Sequence, residues 1–107
     1  MVQDLKTRTK KFAIDCGRLC RNFPHSREYN AYVNQLIRSS SSVGANYRAS
    51  QRGKSTADFI NKLKIVEEEA DESHFFLVIL LDLYDLDDVN VKDEMKDYVK
   101  KRMNWSQ

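Results

Sequence analysis

Residues 59–84 constrain the fold more than any other stretch, because their apolar positions repeat on two helical faces instead of one. At about 100° per residue, Phe59, Leu63, Val66, Ala70, Ser73, Leu77, Leu81 and Tyr84 share a face. Ile65, Phe76, Ile79 and Leu83 mark another, with Glu72 on the same flank. An amphipathic surface helix presents one apolar sector to one core. Two sectors need burial on both sides, and a chain of 107 residues is too small to supply both. The expectation is a helical bundle completed by self-association, with Ile65, Glu72, Phe76, Ile79 and Leu83 at the contact between copies.

A chain of this length builds one compact core, so residues 1–107 are read as a single domain. Three Gly and one Pro, among many Leu, Lys, Glu, Asp and Ala, favour helices with few breaks. Four helices are expected. The first covers residues 4–22, with Phe12, Cys16, Leu19, Cys20 and Phe23 on one side and Pro24 as its stop. The second covers 27–51, with Tyr29, Val33, Leu36, Ser40, Val43 and Tyr47 in register and Gly53 beyond its end. Ser55, three residues before Asp58, caps the third. A polar turn at 85–90 precedes a short fourth helix carrying Val91, Met95, Tyr98 and Val99. The serine tract at 39–42 would read alone as a linker, but the apolar register on either side holds only if the helix continues through it. Its small side chains, with Ala31, Ala45 and Ala49, then permit close approach of another backbone.

The residues argue against an enzyme. Cys16 and Cys20, four apart on an apolar face, read as buried filler. His25 and His74 lack Cys/His zinc spacing, and the acidic run at 82–94 has Asn90 and Lys96 where a calcium loop starting at Asp85 needs Gly and Glu. No catalytic group, metal or cofactor is assigned. The chain does not open on a secretory leader, and its longest apolar run, 75–81, falls far short of the roughly 20 residues of a spanning helix. A cytoplasmic location without membrane contact is expected.

Charge is strongly segregated. Residues 1–64 hold 13 Lys or Arg against 4 Asp or Glu, and residues 65–107 hold 5 against 12, so a net charge of +2 hides a basic half and an acidic half. Lys10, Lys11, Arg18 and Arg21 lie opposite the apolar side of the first helix, and Arg48, Arg52 and Lys54 add charge near the second turn. These seven are the candidate contacts to phosphates of RNA or DNA. Ile14 falls among them, which suits a protein contact instead.

The block Gln35-Leu-Ile-Arg-Ser-Ser-Ser-Ser-Val-Gly-Ala-Asn-Tyr-Arg-Ala-Ser50, followed by Ser55-Thr-Ala-Asp-Phe-Ile-Asn-Lys-Leu-Lys-Ile65 and Glu69-Ala-Asp-Glu-Ser73, resembles the bacterial four-helix bundle proteins named for intervening sequences in 23S ribosomal RNA genes. The resemblance runs from about Phe12 to Leu86. It implies an antiparallel up-down four-helix bundle assembling as a ring-like homopentamer. It also implies two kinds of partner, since relatives serve as accessory proteins of diversity-generating retroelements: nucleic acid and a reverse transcriptase. A net charge of +2 is too modest for a stoichiometric ribosome component. The expected function is thus non-enzymatic, RNA association through the basic face, with a protein-binding scaffold as the alternative.

Overall fold

A computed structural model describes residues 4–88. Within them the chain forms three helices, α1 (Leu5–Cys20), α2 (Arg27–Ser50) and α3 (Thr56–Asp88), and no strand. The expected fourth helix lies outside the described residues. Each helix start is capped by a short polar side chain that accepts from an otherwise free amide. Asp4 accepts from the Thr7 amide at 2.9 Å, Ser26 from the Tyr29 amide at 3.2 Å, and Ser55 from the Asp58 amide at 3.1 Å. The Thr7 amide also holds the Asp4 carboxyl below the usual carboxylate range.

The helix α2 lies between the other two, antiparallel to both. Toward α1 it presents Ser40, which is fully buried, and Gly44, where an added Cβ would sit 3.2 Å from the Thr9 hydroxyl. Toward α3 it presents Ser39, also fully buried, whose hydroxyl lies 2.9 Å from that of buried Ser73. The serine tract is helical throughout and permits close packing on two sides. The residues that do this are Ser39, Ser40 and Gly44, because Ala31 and Ala45 face solvent and Ala49 is half-buried.

One core cluster gathers Cys16, Cys20, Phe23, Tyr29, Leu36 and Leu80. It sits where α1 turns into α2 and the later part of α3 arrives. The Phe23 ring stacks on Tyr29 at 5.9 Å and meets Tyr84 edge-on at 5.8 Å. The Tyr29 hydroxyl donates to the Asp87 carboxylate at 2.6 Å. Both cysteines are free thiols, and burial pushes both upward in pKa, so neither has thiolate character.

Three expectations about α3 are corrected. The segment from Asp85 is not yet a turn, since the helix continues to Asp88. Asp82 and Asp85 point to solvent, and Tyr29 engages Asp87, so acidity here costs the helix little. Second, equal helix ends about the turn would make facing residue numbers sum to about 106, yet Ser39 faces Ser73, a sum of 112. The first six residues of α3 or so therefore project about 9 Å past the end of α2, and every residue from 51 to 61 is exposed. Phe59, expected in the core, is 39% exposed for this reason. Third, the contact with α2 centres on Ser73, at the edge of the first stripe, and on Leu80, which neither stripe contains; both are fully buried. Each stripe is then a flank: Leu77 on one side and Phe76 and Leu83 on the other pack partly against the core, while Leu81 and Tyr84 remain exposed.

Candidate nucleic-acid interface

The helices α1 and α2 run side by side with a groove of about 310 Å³ between them. Its floor is small and apolar, made of Ala13, Ile14, Gly44 and Ala45, and its rim is cationic, made of Lys6, Lys10 and Arg48. The narrow approach of Thr9 to Gly44 brings the two basic segments within reach of one ligand. Of the seven basic residues expected from the sequence, Lys10 and Arg48 meet here. Lys11, Arg18 and Arg21 are exposed along the outer side of α1, and Arg52 and Lys54 are exposed at the tip where α2 turns into α3. Lys6 was missed, although it stands one turn before Lys10 on the same flank, a spacing visible in the sequence. Asp15 is the one acid set among the cations of the outer side of α1.

Ion pairs among the described residues involve Arg38 with Glu69, at 3.4 Å, and with Glu72. None of the seven candidate cations is paired with a described residue. A register summing to about 106 sets Arg38 beside Glu68 and Glu69, and the pair with Glu69 is present. The shifted register brings Glu72 to it and leaves Glu68 facing outward. Its Nε also donates to the Gln35 side chain at 3.2 Å, and the two carboxylates hold the guanidinium pKa above its ordinary value. Exposed pairs of this kind contribute little to stability, but the fork fixes how α2 and α3 are aligned. The chain blocks beginning at Gln35 and Glu69 therefore meet each other, Arg38 on Glu69 and Glu72, Ser39 on Ser73.

The outer side of α3 has the opposite character. Between residues 65 and 88 there is no Lys or Arg, and Glu68, Asp71 and Glu72 border a depression with His74, Phe75 and Val78. Phe75 is 61% exposed and Val78 42%. Of the candidate contact residues, Glu72 is on its border and Ile65, Phe76, Ile79 and Leu83 lie next to it, all half-buried. Phe76 and Leu83 already pack against the core, the Phe76 ring 6.4 Å from Tyr32, and Glu72 is engaged by Arg38. The more exposed apolar surface is thus Phe75 and Val78, which the two-stripe pattern did not single out. Among the described residues no group of three or more His, Cys, Asp or Glu is placed to hold a metal ion, and no helix is long and apolar enough to cross a membrane.

These features define a class: an all-α antiparallel bundle protein with a cationic face on its first two helices and an acidic face on its third. Residues 3–103 match the family described as 23S rRNA-intervening sequence protein, and the chain belongs to that family. It is similar to a crystal structure of a protein of unknown function from the S23 ribosomal protein family of Bacteroides thetaiotaomicron. The two are 32% identical, the match covers 75% of this chain and 74% of that one, and the TM-score is 0.68. No curated protein matches the chain.

Proposed function

We propose that the protein is a non-enzymatic bundle that associates with nucleic acid, RNA in the first instance, through the cationic face of α1 and α2. The observation that carries this reading is the convergence of Lys6 and Lys10 from one helix with Arg48 from another on a groove with no acidic lining residue. Lys11, Arg18 and Arg21 extend the face along α1, a length of about 24 Å, and Arg52 and Lys54 extend it at the tip. Cations without a fixed fork to a base edge contact phosphates and do not read sequence. The family's name, which ties its members to insertions in ribosomal RNA genes, suits RNA as the polymer. Assembly as a homo-oligomer, a pentamer by the family resemblance, would repeat the face and raise the effective concentration of each weak contact. The self-contact proposed for that assembly is the flank of α3 carrying Ile65, Glu72, Phe76, Ile79 and Leu83, together with exposed Phe75 and Val78.

The test is binding of a long structured RNA at low salt, repeated as salt rises. Affinity should fall steeply through counterion release, and changing Lys10, Lys11, Arg18 and Arg21 together to Glu should abolish binding with helix content kept. Absence of binding at low salt would transfer the proposal to the second reading, a scaffold for a protein such as a reverse transcriptase. The observation favouring that reading is Ile14, 48% exposed in the middle of the cationic face.

A further inference from the structure

The groove between α1 and α2 is polarised along its length. Thr9 meets Gly44 near its middle, and because the two helices run antiparallel, Lys6 before Thr9 and Arg48 after Gly44 share one end. Ala13 and Ile14 after Thr9 share the other end with Ser41 before Gly44, and Lys10 and Ala45 lie between. Ile14 is 48% exposed and Ala45 is exposed too, so the apolar part is open to a ligand. From Lys6 to Ile14 α1 rises about 12 Å. We propose that this groove takes one unpaired nucleotide of the bound RNA, its phosphate at the Lys6 and Arg48 end and its base laid over Ile14 and Ala45. The proposal rests on the nucleic-acid reading above and adds that the polymer is single-stranded where it crosses the groove. It also gives exposed Ile14 a place within that reading.

Charge and shape select this occupant. No acidic residue lines the groove, and Lys6, Lys10 and Arg48 form no ion pair with a described residue. The end that receives the phosphate therefore carries uncompensated positive charge. A volume of about 310 Å³ is at the small end of ligand sites, a scale that suits a single nucleotide. Bases in a duplex are stacked and paired inward, so a duplex meets the rim cations with its phosphates and leaves the floor uncovered. An unpaired base can be turned out and laid on a side-chain surface. The Thr9 hydroxyl donates to the Leu5 carbonyl and the Ser41 hydroxyl to the Ile37 carbonyl, both at 2.7 Å. Both protons are thus engaged within their own helices, and the floor donates no hydrogen bond to a base edge, so a preference for one base is not expected. No aromatic side chain lines the groove, and the base gains by covering methyl groups instead of stacking on a ring.

The experiment compares two single strands of equal length and charge, oligouridine and an abasic ribose-phosphate strand, binding to the full chain at low salt. Phosphate contacts are common to both strands, so the ratio of their affinities isolates the base. Oligouridine should bind about three- to tenfold tighter, below the gain that an aromatic platform gives. Ala45→Gln, which fills the floor with a neutral polar chain, and Ile14→Ser, which removes the apolar wall, should each bring the ratio close to one, with circular dichroism confirming unchanged helix content. Lys6→Gln combined with Arg48→Gln should weaken both strands and reduce the salt slope by roughly one per cation. Equal binding of the two strands by the parent, or a ratio that survives both Ala45→Gln and Ile14→Ser, overturns the groove assignment and leaves the phosphate contacts of the proposed function in place. A salt slope untouched by the loss of Lys6 and Arg48, or binding of a long structured RNA without binding of oligouridine, does the same. If no RNA binds at low salt, the nucleic-acid reading and the groove assignment fall together.

Discussion

The hydroxyls of Ser39 and Ser73 lie 2.9 Å apart with both residues fully buried, and they set the distance between α2 and α3. When Ser73 donates to Ser39, the Ser39 hydroxyl donates to the Leu36 carbonyl at 3.3 Å; when Ser39 donates instead, the Ser73 hydroxyl donates to the Glu69 carbonyl at 2.8 Å, so in either arrangement both protons have an acceptor. Serine satisfies two demands here that leucine cannot, small volume and a polar tip. Ser73→Leu should cost about 1–3 kcal/mol through overpacking and Ser73→Ala about 0.5–1.5 kcal/mol through the lost interhelical bond. Urea denaturation ranks the two. Equal or negligible losses would mean that the helices are not held this close.

The glycines give a paired test of the α1–α2 contact. Gly17 stands inside α1 with nothing within 4 Å of an added Cβ, whereas at Gly44 that Cβ meets the Thr9 hydroxyl at 3.2 Å. Thr9 is tied to the Leu5 carbonyl at 2.7 Å and yields poorly. Both positions are helical, so alanine gains about 0.5–1 kcal/mol of backbone preference at each. Gly17→Ala should raise the unfolding free energy by that amount, and Gly44→Ala should gain less or lose. If the two variants rise equally, the contact at Thr9 is looser than the geometry requires.

Tyr29 makes stability sensitive to alkali. Desolvation, and then the bond to the Asp87 carboxylate, push its phenol from an ordinary value near 10 to about 12. The folded state holds the proton that the unfolded chain releases, so the contribution is complete below pH 10 and is lost as pH rises from 10 toward 12. Tyr29→Phe keeps the ring against Phe23 and removes the titration. Between pH 9 and about 11.5 the parent should lose more stability than the variant, measured as the difference in urea midpoints. Parallel curves would show that Tyr29 titrates as it does in water.

Much of this fold is legible in the sequence because caps and apolar periods are local. Ser55, Pro24 and the register from Tyr29 to Tyr47 place helices whose observed bounds differ little from expectation. The segregation of charge is equally local, and it identified all the cations of the candidate face except Lys6. What the pattern did not carry is relative placement. Two stripes on α3 do not say which line between them touches α2, and Leu80 was overlooked for that reason. Nor does a turn of given length fix how far α3 projects beyond α2, so the local pattern sets Arg38 beside Glu68 and Glu69, of which only Glu69 pairs with it, omits Glu72, and puts Phe59 in the core. Both depend on where the serines of α2 and α3 let the backbones meet, which is a tertiary event.

That placement separates three neighbouring side chains of α3 into different roles. Leu80 is fully buried, Phe76 is half-buried against Tyr32, and Phe75 is 61% exposed. Leu80→Ala should cost about 2–5 kcal/mol by leaving a cavity among Cys16, Tyr29 and Leu36, and that loss should not depend on protein concentration. Phe75→Ala should leave the unfolding of the dissociated chain nearly unchanged and weaken association, so its effect grows with concentration. Phe76→Asp, which the two-stripe pattern would confine to association, should instead destabilise the isolated chain as well, since it sets a charge against the core. Denaturation midpoints at 1 µM and 100 µM, about tenfold either side of a ~10 µM association, distinguish the three. Should Phe76→Asp act only at the higher concentration, its ring belongs to the contact between copies and not to the core.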